Sequence, residues 1–111
     1  MKILNLNSNS IRNEIVPKIF FQRVLSFYSI GISKNLWKNY SIKIGNDNKK
    51  KYTTIIFYKS NFYYPIVSIK YFYFDNQDNF QIENNDKKTK LNNISQINSW
   101  FQNYFLKKAK I

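Results

Sequence analysis

Cysteine and histidine are both missing from this chain. Their absence excludes disulfides, thiol chemistry and the usual zinc sites, and it removes the commonest general base near neutral pH. Acidic residues are scarce. The six present are Glu14, Asp47, Asp75, Asp78, Glu83 and Asp86, and their spacing shows no pair set for acid/base work. An enzyme is therefore not expected, and neither a metal nor a cofactor is called for. No run of about eighteen apolar residues occurs, so no membrane span is expected. The opening MKILNLNSNS has no sustained apolar stretch and no small-residue cleavage site, which argues against a secretory signal.

What the chain has in abundance is lysine, asparagine, isoleucine, phenylalanine and tyrosine. Its 111 residues suit one domain with one modest core. Eighteen basic residues against six acidic ones give a formal charge of +12. A charge this large on a small domain points to a polyanionic partner, most often nucleic acid. An AT-rich coding sequence would inflate lysine but does not explain so few acids.

Along the chain, residues 1–13 read as a polar leader. From Glu14 to Tyr28 the apolar positions Val16, Ile19, Phe20, Val24, Phe27 and Tyr28 recur at helical spacing. Pro17 suits a first turn, and Gly31 suits a stop. Residues 33–45 contain the alternation Tyr40, Ile42, Ile44 of a short strand. NDNKKK then makes a turn, and the β-branched and aromatic stretch YTTIIFYK, residues 52–59, predicts a strand. After Pro65, which can start a strand but not continue one, residues 66–74 (IVSIKYFYF) predict the next. A hairpin turn at 75–79, a strand at 80–83, a turn at 84–86 and a basic strand at 87–91 follow. Ser95 is a candidate N-cap for a final helix whose apolar face carries Ile94, Ile97, Trp100, Phe101, Tyr104 and Phe105, with Lys107, Lys108 and Lys110 in its last turn. The expected architecture is α+β, a four-stranded antiparallel meander closed by a C-terminal amphipathic helix. Residues 1–43 form an extension with a possible short helix at 15–28, and residues 44–111 form the binding domain.

The tetrapeptide Trp100-Phe101-Gln102-Asn103 resembles the start of a homeodomain recognition helix. A homeodomain needs two helices before that element, and strands are predicted there instead. The basic pair that should follow is Tyr104-Phe105, so the tetrapeptide belongs to an ordinary amphipathic helix.

A sheet covered by one helix leaves its other face open. Subject to register, that face is expected to carry Tyr58, Lys59, Lys70 and Tyr73, with Lys49–Lys51 and Lys87–Lys90 at its margins. Rings interleaved with lysines suit an unpaired strand: bases stack on the rings, at about 1–3 kcal/mol each, and lysines neutralise phosphates. The bland alternative is that strand aromatics face a core or a dimer interface.

The order of these features resembles the single-stranded-DNA-binding domain of the transcriptional coactivator positive cofactor 4 family. The resemblance runs from Ile44-Gly45 through Tyr52, the aromatic–lysine step Tyr58-Lys59 and the stretch Ile69 to Asp75. It ends on the basic step Lys87-Lys88 and a helix bearing Trp100. Ser60 and Thr89 stand nearest to where that family has glycines, and Tyr71 replaces a glutamate. The resemblance implies DNA contacts at Lys51, Tyr58, Lys59, Lys70, Tyr73 and Lys88. It also implies a homodimer whose two copies enclose a core, non-catalytic binding of single-stranded or melted DNA beside the transcription machinery, and a place in the nucleus. From a different class comes the alternative of a basic structural subunit in a large assembly, such as an organellar ribosome or a membrane complex. It is favoured by Phe20, Phe21, Phe27, Tyr28 and Trp37, an N-terminal segment too aromatic for a simple tail.

Overall fold

The computed structural model describes residues 8–47, 50–60, 64–74 and 77–109. Their order is α1 (Ser8–Ser33), β1 (Asn39–Asp47), β2 (Lys50–Tyr58), β3 (Pro65–Phe74), β4 (Gln77–Asn84), β5 (Lys87–Leu91) and α2 (Ile94–Ala109). The class is α+β, and the strands form one antiparallel sheet in chain order. The expected count of four strands is corrected to five. The added strand is β1, which carries the Tyr40, Ile42, Ile44 alternation and pairs with β2 from Asn39 opposite Tyr58 to Asp47 opposite Lys50. Consecutive strands joined by a short connection pair by default, so β1 belongs to the sheet rather than to an extension. Residues 48 and 49, Asp75 and Lys110 lie outside the described residues.

Helix α1 is much longer than the expected 15–28 segment and includes part of the expected leader. It continues through Pro17, which is interior rather than in the first turn and has no N–H for the helical ladder. Nor does Gly31 stop it. The stop is Asn35, in the left-handed region at φ 61°, where a short polar side chain is tolerated best after glycine. Leu36 N–H then donates to Gly31 C=O at 2.9 Å and closes the helix end.

Gly31 has a different task. A Cβ there would fall 2.0–2.3 Å from the Trp37 indole, so the absence of a side chain lets Trp37 lie on the helix backbone. Its Nε1 donates to Tyr28 C=O at 2.8 Å.

At the other helix, the N-cap is Asn93 rather than Ser95. Asn93 Oδ1 accepts from Gln96 N–H at 2.9 Å, and Gln96 Oε1 accepts from Asn92 N–H at 2.6 Å. The first bond satisfies a donor that the first turn leaves unpaired, and the second ties the residue before the cap to the helix.

Both helices lie on one face of the sheet. Phe20 of α1 meets Tyr71 and Phe80, and Phe27 stacks on Phe101 of α2 at 4.6 Å and 14°. Trp37 meets Phe57 at 4.7 Å. Beneath them run Ile55, Ile69 and Ile82, all buried and mutually paired across β2, β3 and β4. The buried core of the single chain thus takes Phe20, Val24, Phe27 and Trp37 from the segment expected to be an extension. Phe101 is fully buried in it while Gln102 and Asn103 are exposed, as an amphipathic core helix requires. No described helix is long and apolar enough to cross a membrane.

Candidate functional site

Residues directly opposite in an antiparallel pair point to the same side, and neighbours along a strand alternate. The register therefore divides the sheet into two sets. Ile55, Val67, Ile69, Tyr71, Phe80 and Ile82 face the helices. The opposite face carries Gly45, Tyr52, Phe72 and Asn79 in one cross-strand row, and Lys43, Thr54, Lys70, Gln81 and Lys90 in the next. Ser41, Ile56, Ser68, Glu83 and Lys88 form a third. All of these are half-buried or exposed, and no described helix covers them.

The centre of this face is an aromatic–lysine cluster. Lys70 Nζ lies 4.4 Å from the centroid of the Tyr52 ring and 5.7 Å from that of Phe72. Such placements are favoured by the negative potential of a ring face. The Tyr52 ring reaches across to β1, where a Cβ on Gly45 would meet its hydroxyl at 2.5 Å. Gly45 is thus the open-face residue that lets a tyrosine on the next strand lie flat. Lys43, Lys88 and Lys90 surround the cluster, with Glu83 as the acidic member of the three rows.

The six residues singled out from the sequence separate. Lys70 and Lys88 are on the uncovered face. Tyr58 follows a register shift after Phe57, and its hydroxyl lies 2.9 Å from Ser41 Oγ on that face. Its ring, only 9% exposed, is laid down against the sheet rather than presented. Tyr73 is opposite Asp78 in the helix-side set and packs half-buried against the core, so it does not share a face with Lys70. Lys51 is exposed and opposite Asn46 in the same helix-side set. Lys59 is exposed in the β2–β3 connection, where its N–H donates to Tyr64 C=O at 3.0 Å. It borders a hollow with Asn35, Lys38 and Tyr64.

Tyr52 and Phe72, which sequence reasoning did not single out as platforms, are the rings that accompany Lys70. The signal for them was the strand period. Lys70 and Phe72 are two apart and share a face, whereas Lys70 and Tyr73 are three apart and cannot on a regular strand.

A second concave region lies between β5 and α2. Trp100 and Tyr104 line it, stacked 5.3 Å apart at 10°, and buried Trp37 continues the stack behind Tyr104 at 6.0 Å and 20°. Burial pushes the Tyr104 phenol above its ordinary pKa. Tyr28, whose hydroxyl donates to Lys38 C=O at 2.7 Å, is likewise raised, chiefly by burial and secondly by the neighbouring Tyr40. Among the described residues no cluster of acidic side chains could hold a metal ion.

No family model matches this chain, and neither a curated protein nor a solved structure matches it.

Proposed function

We propose that the protein binds single-stranded nucleic acid, without catalysis, on the helix-free face of its sheet. The observation that carries the reading is Lys70 Nζ lying within cation–π range of both Tyr52 and Phe72 at the centre of that face. A base stacking on Tyr52 takes the place of the ammonium over the ring and leaves Lys70 to meet the adjacent phosphate. Lys43, Lys88 and Lys90 continue the basic path on either side. Stacking of this kind is indifferent to sequence, because every base has a π-face. Duplex, whose bases are already stacked, offers no ring to these platforms. By its resemblance to positive cofactor 4, the same reading extends to a homodimer that works beside the transcription machinery in the nucleus.

The test is fluorescence anisotropy of a labelled single strand of about 20 nucleotides, titrated beside the matching duplex at several salt concentrations. The expected result is preference for the single strand, with affinity falling as salt rises. Phe72→Ala should weaken binding by about 1–3 kcal/mol, and Lys70→Ala should flatten the salt dependence. Equal weak binding to single strand and duplex would overturn the proposal.

A second reading has its own observation. Ile44 is 73% exposed, and Tyr40, Ile42, Ile19, Ile30 and Ile32 are also exposed. Apolar surface at this density suits a subunit whose β1 edge and α1 flank meet other proteins in an assembly. Loss of solubility in the isolated chain, cured by Ile42→Thr and Ile44→Thr together, would favour that reading.

A further inference from the structure

The groove between β5 and α2 has a composition that the sheet face does not explain. It encloses about 520 Å³, within the range of small-molecule sites. Lys87 reaches it from the start of β5, and Lys107 and Lys108 from the last turn of α2. Among the described residues no carboxylate lines it. Lysines in a last helical turn are commonplace, since they complement the helix dipole. That accounts for Lys107 and Lys108, but not for Lys87 converging from a separate element.

Nor does it account for the aromatic floor. The stack of Trp37, Tyr104 and Trp100 starts in the core, where Trp37 is 1% exposed, and ends on half-buried Trp100 at the groove. Among the described residues no further ring stacks beyond Trp100. Lys108 Nζ lies 5.4 Å from the Tyr104 centroid, so the charge and the rings occupy one small space. Asn103, also on the lining, adds an amide that can both donate and accept.

We propose that this groove binds a nucleoside phosphate, with the base as the next ring of the stack on Trp100 and the phosphates among Lys87, Lys107 and Lys108. The chemistry of the groove asks for both halves of that ligand. A flat aromatic group extends the stack, and a polyanion answers three ammonium groups that no acid opposes among the described lining residues. The ligand has two sources, a free nucleotide or the phosphorylated end of a strand. The site is on the helix side of the sheet and does not rest on the role given to Tyr52, Lys70 and Phe72.

The experiment is quenching of tryptophan fluorescence in the full chain, titrated with adenosine diphosphate, adenosine and inorganic phosphate. Saturable quenching is expected with the diphosphate, at least about tenfold tighter than with either fragment. Trp100→Phe, which keeps an apolar ring for the core, should remove most of the quenching. Lys87→Ala with Lys108→Ala should weaken binding by about tenfold or more while circular dichroism stays unchanged. Lys70→Ala should leave this binding intact, which separates the groove from the sheet face. Competition by a short strand bearing a terminal phosphate, but not by the same strand without it, assigns the strand end as the source. Competition by free nucleotide alone assigns the nucleotide. The proposal fails if no saturable quenching occurs at millimolar diphosphate, if phosphate alone binds as well, or if the double lysine variant binds like the parent chain.

Discussion

Single atoms decide how this fold closes, and Gly31 is the clearest case. Replacing a helical glycine by alanine gains up to about 1 kcal/mol of helix propensity, and Gly31 is in the last turn of α1. Here the new methyl would sit 2.0 Å from a buried indole, and forced overpacking costs about 1–3 kcal/mol or more. Expulsion of Trp37 would also break its bond to Tyr28 C=O. The overpacking outweighs the propensity, so Gly31→Ala should lower the urea midpoint and shift tryptophan emission to the red. A midpoint raised by the substitution would mean that the indole is not held as described. Burial of tyrosine hydroxyls gives a second prediction. Tyr104 and Tyr28 have raised pKa values in the fold, so their contribution is fully present below the ordinary tyrosine value of 10.0. It is lost as pH rises through the raised folded values. Thermal stability should therefore fall on the alkaline side of that point, and Tyr104→Phe should make the fall shallower.

At the scale of elements, the β4–β5 turn tests how backbone shape is encoded. Asn85 and Asp86 both have positive φ, 52° and 65°, the signature of a type I′ hairpin. Asp86→Gly should stabilise by up to about 1 kcal/mol, because glycine enters that region without steric cost. Asn85→Val should destabilise by about 1–2 kcal/mol, since a branched Cβ is crowded there. Chemical denaturation of the two variants checks both signs. This turn was legible in the sequence, as were strands β2, β3 and β5 and the apolar face of α2, because composition and period agree in each. The membership of β1 in the sheet was not legible. Alternation at Tyr40, Ile42 and Ile44 marks a strand but says nothing about its neighbour. Gly31 misled for a related reason: a missing side chain looks like a helix stop until the partner that needs the space is known. Part of the candidate site was within reach, since period alone puts Phe72 beside Lys70 and Tyr73 opposite. The aromatic groove was not, because it joins Trp37, β5 and α2 across more than sixty positions of chain.

For the whole molecule, the +12 charge should act in opposite directions on folding and on binding. A free chain with this excess repels itself, and added salt screens the repulsion. Its thermal midpoint should therefore rise as sodium chloride is added. Nucleic-acid affinity should fall over the same range, because each phosphate met by a lysine releases a condensed counterion. If Lys43, Lys70, Lys88 and Lys90 each meet one phosphate of a single strand, log affinity against log salt should have a slope of about −3. Lys70→Ala should then reduce that slope by about 0.7. The opposed signs make the pair of measurements diagnostic. Salt that weakened binding by unfolding the protein would lower the midpoint and the affinity together. Salt that raises the midpoint while lowering the affinity places the effect on the interface. A slope near zero beside a rising midpoint would mean that the charge governs the folded state and solubility alone. The exposed apolar residues of the β1 edge and the α1 flank, Ile42 and Ile44 foremost, would then be the surface that meets another protein.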